Sequence, residues 1–282
     1  MSLSFPLRDR ILYTSAPAFI MGIVNATPDS FYPGSRAGSV EDAVERALQM
    51  EAEGADIVDI GGESSRPGGA YVSAEEELSR VLPVIEGIRS RSAVPISVDT
   101  RKAAVMKAAL DAGADMCNDI SALEDDHALA DLLAAAGAPV VLMHKKGTPD
   151  TMQLDPRYAD PAAEVLSYLL ERAEYAQTRG IRKDMIILDP GIGFGKRKQD
   201  NLALIAATRR FTAAGYPVLM ALSRKTCIGD MTGKPVSHRL AGTLAANQIA
   251  VGLGAQWLRV HDVGETRDML AVVQELQTYG IH

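Results

Sequence analysis

The sequence predicts an α/β fold, a (β/α)8 TIM barrel forming one domain over residues 1–282, and three observations predict it. Eight short apolar runs alternate with helical patterns. Nearly every run closes on a polar or charged residue. The length of 282 residues is near that of a single eight-stranded barrel. Carboxylates, amides and cations at the end of a buried strand are costly unless they bind something. When all of them stand at C-terminal strand ends, one face of a barrel becomes a site. A doubly wound open sheet is the alternative; the count of eight and the polar strand ends favour the barrel.

The first 18 residues read as a short hairpin or cap over the barrel bottom. The strand candidates are FIMGIVN from Phe19, DIVDIGGE from Asp56, PISVDT from Pro95, DMCNDI from Asp115, PVVLMH from Pro139, MIILDPG from Met185, PVLMALS from Pro217 and QWLRVHD from Gln256. They are short, apolar and rich in Val and Ile, as parallel strands buried on both faces should be. The segments between them read as helices. In VEDAVERALQMEAEG, for example, Val40, Ala43, Val44, Ala47, Leu48 and Met50 are apolar and the charges lie on the other face. Gly54, Gly113, Gly137, Gly215 and Gly254 each end a helix and open a strand, a weak internal repeat explained by glycine at the helix C′ position.

Composition narrows the partners. With 47% hydrophobic and 23% charged residues the chain has the make-up of a soluble globular protein. A formal net charge of −7 with no Lys/Arg block argues against nucleic acid, though not against a small anion held by a local basic cluster. Cys117 and Cys227 form neither a disulfide framework nor a zinc pattern. They read as small hydrophobes in a reducing, cytoplasmic setting. MSLSFPLRDR has no signal-peptide pattern, and Phe19–Val24 is too short to span a bilayer.

The chemistry sits at strand ends. Asp99, Asn118 and Asp189 suit a nitrogen heterocycle with a pterin- or guanine-like edge, because carboxylates accept adjacent N–H donors and an amide both donates and accepts. Any one alone reads as a strand-end cap; three at one end of a barrel do not. Arg259 and His261 alternate on the last strand and so face one side. With Asn25, at the end of the neighbouring first strand, and Arg66, in SSRPGG, they suit a phosphate or pyrophosphate. Asn25 also offers a neutral oxygen to Mg²⁺. In LSRKTCIG, Lys225 is a strand-end cation and Thr226 is placed to cap the next helix, whose free N–H groups would hold a carboxylate. DPGIGFGK lacks the phosphate-loop spacing, and its glycines turn the chain over the mouth to present Phe194. ATPDSFYPGS and SSRPGGAYVS are long, glycine-rich candidate lids.

From about Phe19 onward the chain resembles the dihydropteroate synthase family. The resemblance is carried by IMGIVNATPDSF, GADIVDIGGESSRPG, ISVDTRKAAV, AGADMCNDIS, PVVLMHKKGTPDTMQ, LDPGIGFGK, LSRKTCIG and RLAGTLAANQIAV followed by LRVHDV, in the family's order. It implies joining of 6-hydroxymethyl-7,8-dihydropterin pyrophosphate to p-aminobenzoate, with sulfonamides as competitors, Mg²⁺ as cofactor and a homodimer as the assembly. By position, Asp99, Asn118, Met143, Asp189 and Lys225 would hold the pterin. Asn25, Ser65, Arg66, Arg259 and His261 would hold pyrophosphate, with Asn25 on the metal. Phe31, Arg66, Pro67, Phe194, Ser223 and Thr226 would form the p-aminobenzoate pocket. Asp99, Lys225, Arg259 and His261 would carry the catalysis. Ser65 and Thr226 replace the family's common Thr and Ser and keep the hydroxyl, whereas Lys145 replaces a common Met and Tyr32-Pro33 alters the first lid.

Two rivals share part of this pattern. A methyltetrahydrofolate-dependent methyltransferase would keep the Asp/Asn/Asp grip but has no need of SSRPGG, LSRKT or the Arg259–His261 pair. A non-catalytic pterin-binding paralogue would be expected to have lost a lid or an anion residue, and none is missing from the sequence.

Overall fold

A computed structural model describes residues 2–26, 38–64, 71–147, 152 and 155–280. Chain order sets the labels: β1 (Leu3–Pro6), β2 (Ile11–Thr14), β3 (Phe19–Asn25), α1 (Gly38–Ala52), β4 (Ile57–Gly61), α2 (Ala74–Arg89), β5 (Ile96–Asp99), α3 (Ala103–Asp111), β6 (Met116–Asp119), α4 (Ala128–Ala136), β7 (Val140–Met143), α5 (Pro161–Thr178), β8 (Ile186–Asp189), α6 (Lys198–Ala206), α7 (Thr208–Thr212), β9 (Leu219–Met220), α8 (Thr226–Thr232), α9 (Leu240–Gly252), β10 (Trp257–Val260) and α10 (Val263–Thr278).

The eight strands β3 to β10 form one parallel sheet in the order β8-β7-β6-β5-β4-β3-β10-β9. A parallel bridge from Leu188 to Val218 joins the two ends, so the ring closes as the alternation of strands and helices predicts. Period-two alternation divides each strand between two cores. Outward residues such as Ile20, Val58, Ile60, Val98, Val140 and Leu258 pack under the helices. Inward residues such as Met21, Ile57, Met116, Val141, Ile187, Leu219 and Trp257 fill the lower barrel. On α1, predicted from its apolar stripe, Ala43, Val44, Ala47 and Met50 are buried, while Val40 and Leu48 are only partly so.

The strand predicted from PVLMALS keeps only Leu219–Met220 in the regular ladder. Ala221 and Leu222 continue its in–out alternation without pairing, Ala221 joining the interior and Leu222 the outer core. The five repeat glycines all hold positive φ, from 61° at Gly137 to 103° at Gly113, so each does end its helix by a left-handed turn.

The N-terminal hairpin is the antiparallel pair β1–β2. Phe5 meets the Trp257 ring edge-on at 5.1 Å, and Phe19 stacks on the same ring at 4.6 Å. Arg10 and Arg89 share Asp115, at 2.9 and 2.8 Å, which ties the hairpin to the start of β6. The hairpin therefore plugs the N-terminal end and leaves the other end open.

Candidate active site

Two residues further along the same strands, the inward positions change character. Ile57 is followed inward by Asp59, Met116 by Asn118, Ile187 by Asp189 and Trp257 by Arg259. Above this layer lies a cavity of about 650 Å³ at the C-terminal ends of the strands. It brings together Asn25, Asp99, Asn118, Met143, Asp189, Phe194, Ser223, Lys225, Thr226, Arg259 and His261, all singled out by the sequence. Phe31, Ser65, Arg66 and Pro67, with Tyr32 and Pro33, lie outside the described residues.

Its floor is an ion-paired cluster. Arg259 donates from Nε to Asp59 Oδ2 at 2.6 Å and from Nη2 to Asp99 Oδ2 at 2.9 Å. Asn118 Nδ2 donates to the same Asp59 oxygen at 3.0 Å. The sequence offered Arg259 as an anion ligand only; closure of the barrel places it between two carboxylates. Burial raises the Asp99 carboxyl to about 7, the Arg259 charge opposing it and Asp59, Glu77 and Asp119 adding to it. A carboxyl poised there exchanges its proton near neutrality.

One wall is the Gly191–Lys196 loop after β8. Asp189 accepts the Gly191 N–H at 2.7 Å. Burial raises the Asp189 carboxyl, and the Lys225 charge partly offsets this. Lys225 donates to Ile192 O, and its ammonium lies 4.8 Å from the centre of the Phe194 ring. Burial lowers the Lys225 ammonium to about 8, Asp189 opposing. Gly191 holds φ 67°, and a Cβ there would come 1.9 Å from His144 O, so only glycine lets the loop lie this close to the end of β7. The loop is fastened by Lys196, which is 3% exposed. Lys196 Nζ contacts His144 Nδ1 at 2.9 Å, His144 O at 3.2 Å and Phe194 O at 2.9 Å. Burial and the Lys196 charge lower the His144 imidazole to about 3, leaving a neutral acceptor.

The opposite wall suits an anion. His261 donates its backbone N–H to Ser223 Oγ at 3.1 Å, and that hydroxyl stands 2.9 Å from His261 Nδ1. Asn25 ends β3 beside it. A second cavity of about 310 Å³ shares Ile23, Asn25, Arg224 and His261 with the first and adds Arg46. Arg46 donates to His261 O at 2.7 Å. Arg224 takes φ 55° and is paired with Asp262 at 2.8 and 2.7 Å. Sequence reasoning passed over both arginines.

Several expectations change. Thr226 is not a helix cap: Lys225 occupies that position and makes no side-chain cap hydrogen bond, while Thr226 is the first helical residue, exposed at the cavity. Other polar strand ends serve the scaffold. Asp119 is fully used by Ser121 and the Leu123 N–H, bracing a turn in which Ala122 and Leu123 have positive φ. Glu63 binds Arg101, Lys102 and the Val72 N–H. The unusual Lys145 joins this network, donating to Asp125 at 2.8 Å beside Tyr71, on whose ring Arg101 stacks at 3.6 Å. Asp59 and Lys196 are two buried ionisable residues near the cavity that sequence reasoning missed. A carboxylate in mid-strand, inward by period, was a visible signal for Asp59; nothing local marked Lys196.

Residues 21–261 match the family described as pterin binding enzyme. The Haemophilus influenzae dihydropteroate synthase is 47% identical over 255 residues, covering 90% of this chain and 92% of that protein. A structure of the Xanthomonas albilineans dihydropteroate synthase with 4-aminobenzoic acid superposes with a TM-score of 0.92 at 46% identity, covering 98% of this chain and 99% of that one. The same enzyme with 7,8-dihydropteroate gives 0.88 at 44%, over 98% and 99% of the two chains. The Yersinia pestis dihydropteroate synthase with a sulfonamide drug gives 0.91 at 39%, over 98% of this chain and 100% of that one. Similarity of this extent, with the barrel mouth furnished as described, means that the chain belongs to the pterin-binding enzymes and, within them, to the dihydropteroate synthases.

Proposed function

We propose that this chain condenses 6-hydroxymethyl-7,8-dihydropterin pyrophosphate with p-aminobenzoate, giving 7,8-dihydropteroate and pyrophosphate. The observation that carries the reading is the shared cavity. The heterocycle grip of Asp99, Asn118 and Asp189 and the basic side chains of Lys225, Arg259 and His261 line one open space. Relatives of this similarity are dihydropteroate synthases, solved with 4-aminobenzoic acid and with 7,8-dihydropteroate.

In this reading the pterin lies over Met143 with its N–H edge on Asp99, Asn118 and Asp189. The bond from the pterin methylene to the pyrophosphate oxygen breaks first or nearly so, and the oxygen keeps the electron pair. Arg259 and His261 stabilise that leaving charge with Asn25 beside them, and the family's pattern adds Arg66 to the set. Asp99 and Asp189 stabilise the electron-poor pterin methylene. The amine of p-aminobenzoate attacks it and loses a proton, while Phe194 packs on the ring and Ser223 and Thr226 take the carboxylate end. Phe31, Ser65 and Pro67 complete the pocket in the family's pattern.

Asn25 fits a magnesium ion held by one protein oxygen. Among the described residues no three His, Cys, Asp or Glu side chains cluster into a metal cage, and Mg²⁺ commonly takes few protein groups beside phosphate oxygens and water. When bound, the ion would neutralise charge on the leaving pyrophosphate.

We also assign sulfonamides as competitors of p-aminobenzoate, the cytoplasm as the compartment and a homodimer as the assembly. Among the described residues no helix is long and apolar enough to cross a membrane. Ile249 of α9 and Val272 and Leu276 of α10 are exposed apolar residues on two helices that pack together, a surface suited to a second copy.

Pyrophosphate release, measured with each of Mg²⁺, dihydropterin pyrophosphate and p-aminobenzoate left out in turn, tests the function. Release that requires all three, with dihydropteroate as product, is the expected outcome. Tight pterin binding without p-aminobenzoate-dependent release would replace it with a non-catalytic pterin binder.

A further inference from the structure

We propose that Asp59 is a positioning residue that fixes the amide orientation of Asn118 and the direction of Arg259, and so determines which hydrogen-bonding edge of the pterin the site accepts. The inference rests on the pterin reading of the cavity.

Asp59 is 0% exposed and sits in the middle of β4, between Ile23 of β3 and Ser97 of β5. It is not among the residues lining the cavity. Its Oδ2 accepts two hydrogen bonds, from Arg259 Nε and Asn118 Nδ2, at 2.6 and 3.0 Å. A carboxylate only accepts, so the donating end of the Asn118 amide must turn toward it. The flipped amide would place two oxygens against each other in a buried site. The carbonyl oxygen of Asn118 is therefore the atom left for the cavity, and it selects a ligand that presents an N–H there. The same carboxylate occupies Nε of Arg259 while Asp99 occupies Nη2, which leaves the Nη1 end for an incoming anion. One buried oxygen thus sets one contact to the heterocycle and one to its leaving group.

Asp59 also belongs to the field around Asp99. The charged groups facing Asp99 include Arg259 from β10, Asp59 from β4, Glu77 from α2, Asp119 from β6 and Lys225 at the start of α8. Neutralising Asp59 removes a negative charge and frees Arg259 for Asp99. Both changes favour the ionised Asp99, so the acid limb of the pH profile moves to lower pH.

The test compares the parent with Asp59→Asn, Asn118→Asp and the double variant Asp59→Asn/Asn118→Asp. Dihydropterin pyrophosphate binding is measured by calorimetry, turnover across pH by pyrophosphate release, and folding by thermal melting. Asp59→Asn should weaken pterin binding about tenfold and leave the KM for p-aminobenzoate within about twofold. It should also lower the acid limb. The double variant exchanges donor and acceptor across the same contact and should bind pterin better than either single variant. Parental binding with an unmoved acid limb in Asp59→Asn, or a double variant no better than the singles, would overturn the proposal. If Asp59→Asn does not fold, the comparison of Asn118→Asp with the double variant decides. A parent that binds pterin but releases no pyrophosphate would remove the synthase reading and leave the role of Asp59 standing; a parent that binds no pterin overturns both.

Discussion

The lower and upper halves of the barrel interior are made by the same strands, offset by two residues. Below, Phe19, Met21, Ile57, Met116, Ile187 and Trp257 pack against Phe5 of the hairpin in a dry plug. Above, the next inward residues are Asn118, Asp189 and Arg259, which line an open cavity, and Asp59, buried beneath it. The lower half lowers the free energy of the fold by apolar burial. The upper half does the opposite: burial raises the Asp99 and Asp189 carboxyls and lowers the Lys225 ammonium, so the charged forms are disfavoured there until a ligand meets them. The contrast teaches that stability and function are separated along each strand by one side-chain repeat, and substitutions at the two levels should have opposite profiles.

The largest effect is expected from the plug. Trp257→Ala leaves a void under Phe5 and Phe19 and should cost about 3–5 kcal/mol in denaturant unfolding, with kcat at low temperature within about twofold of the parent. A large loss of kcat in folded protein would show that the two levels are not separable. Next, Asp189→Asn should reduce kcat/KM about 100-fold, about 2.7 kcal/mol, while the melting temperature holds or rises. The sign follows from its raised carboxyl: the fold disfavours the ion, and the amide still accepts from the Gly191 N–H. A fall in melting temperature comparable to that of Trp257→Ala would break the comparison.

The smallest effect sharpens it. The folded Asp99 carboxyl lies at about 7 and the Lys225 ammonium at about 8. The free enzyme should therefore give a narrow bell in kcat/KM. It should fall about tenfold per pH unit below the acid limb as Asp99 is protonated, and decline above the alkaline limb as Lys225 loses its charge. Lys225→Met should lower kcat/KM at every pH and leave a profile without the alkaline limb. Stability runs the other way for Asp99. The native state binds its proton more tightly than the unfolded chain, so this group's contribution declines as pH rises from the model-peptide range through about 7. A flat rate profile across that window would show that neither group governs pterin capture.

Much of this arrangement was legible in the chain. Asp99, Asn118 and Asp189 stand where period-two strands end, and Lys225, Arg259 and His261 follow the same rule, so their convergence in one cavity needed only strand count and polarity. At Asp119 and His144 the strand-end polar group instead braces a turn or fastens a loop. Thr226 was misplaced by one position, since the helix begins one residue earlier than its hydroxyl suggests. Asp59 was overlooked because it interrupts an apolar run rather than closing one. Lys196 was overlooked because its three acceptors come from two separate loops.

By itself the sequence determined the order of strands and helices, the left-handed glycine turns between them, and the side of each strand that carries chemistry. These depend on side-chain period and backbone preference within a few residues. Only the tertiary structure decided which donor meets which acceptor. Arg259 reaches Asp59 across 200 residues of chain and Asp99 across 160, and neither pairing exists until the last strand closes on the first. Ion pairing at such separation is a property of the closed ring. That closure turns a residue read as an anion ligand into the centre of the cavity floor.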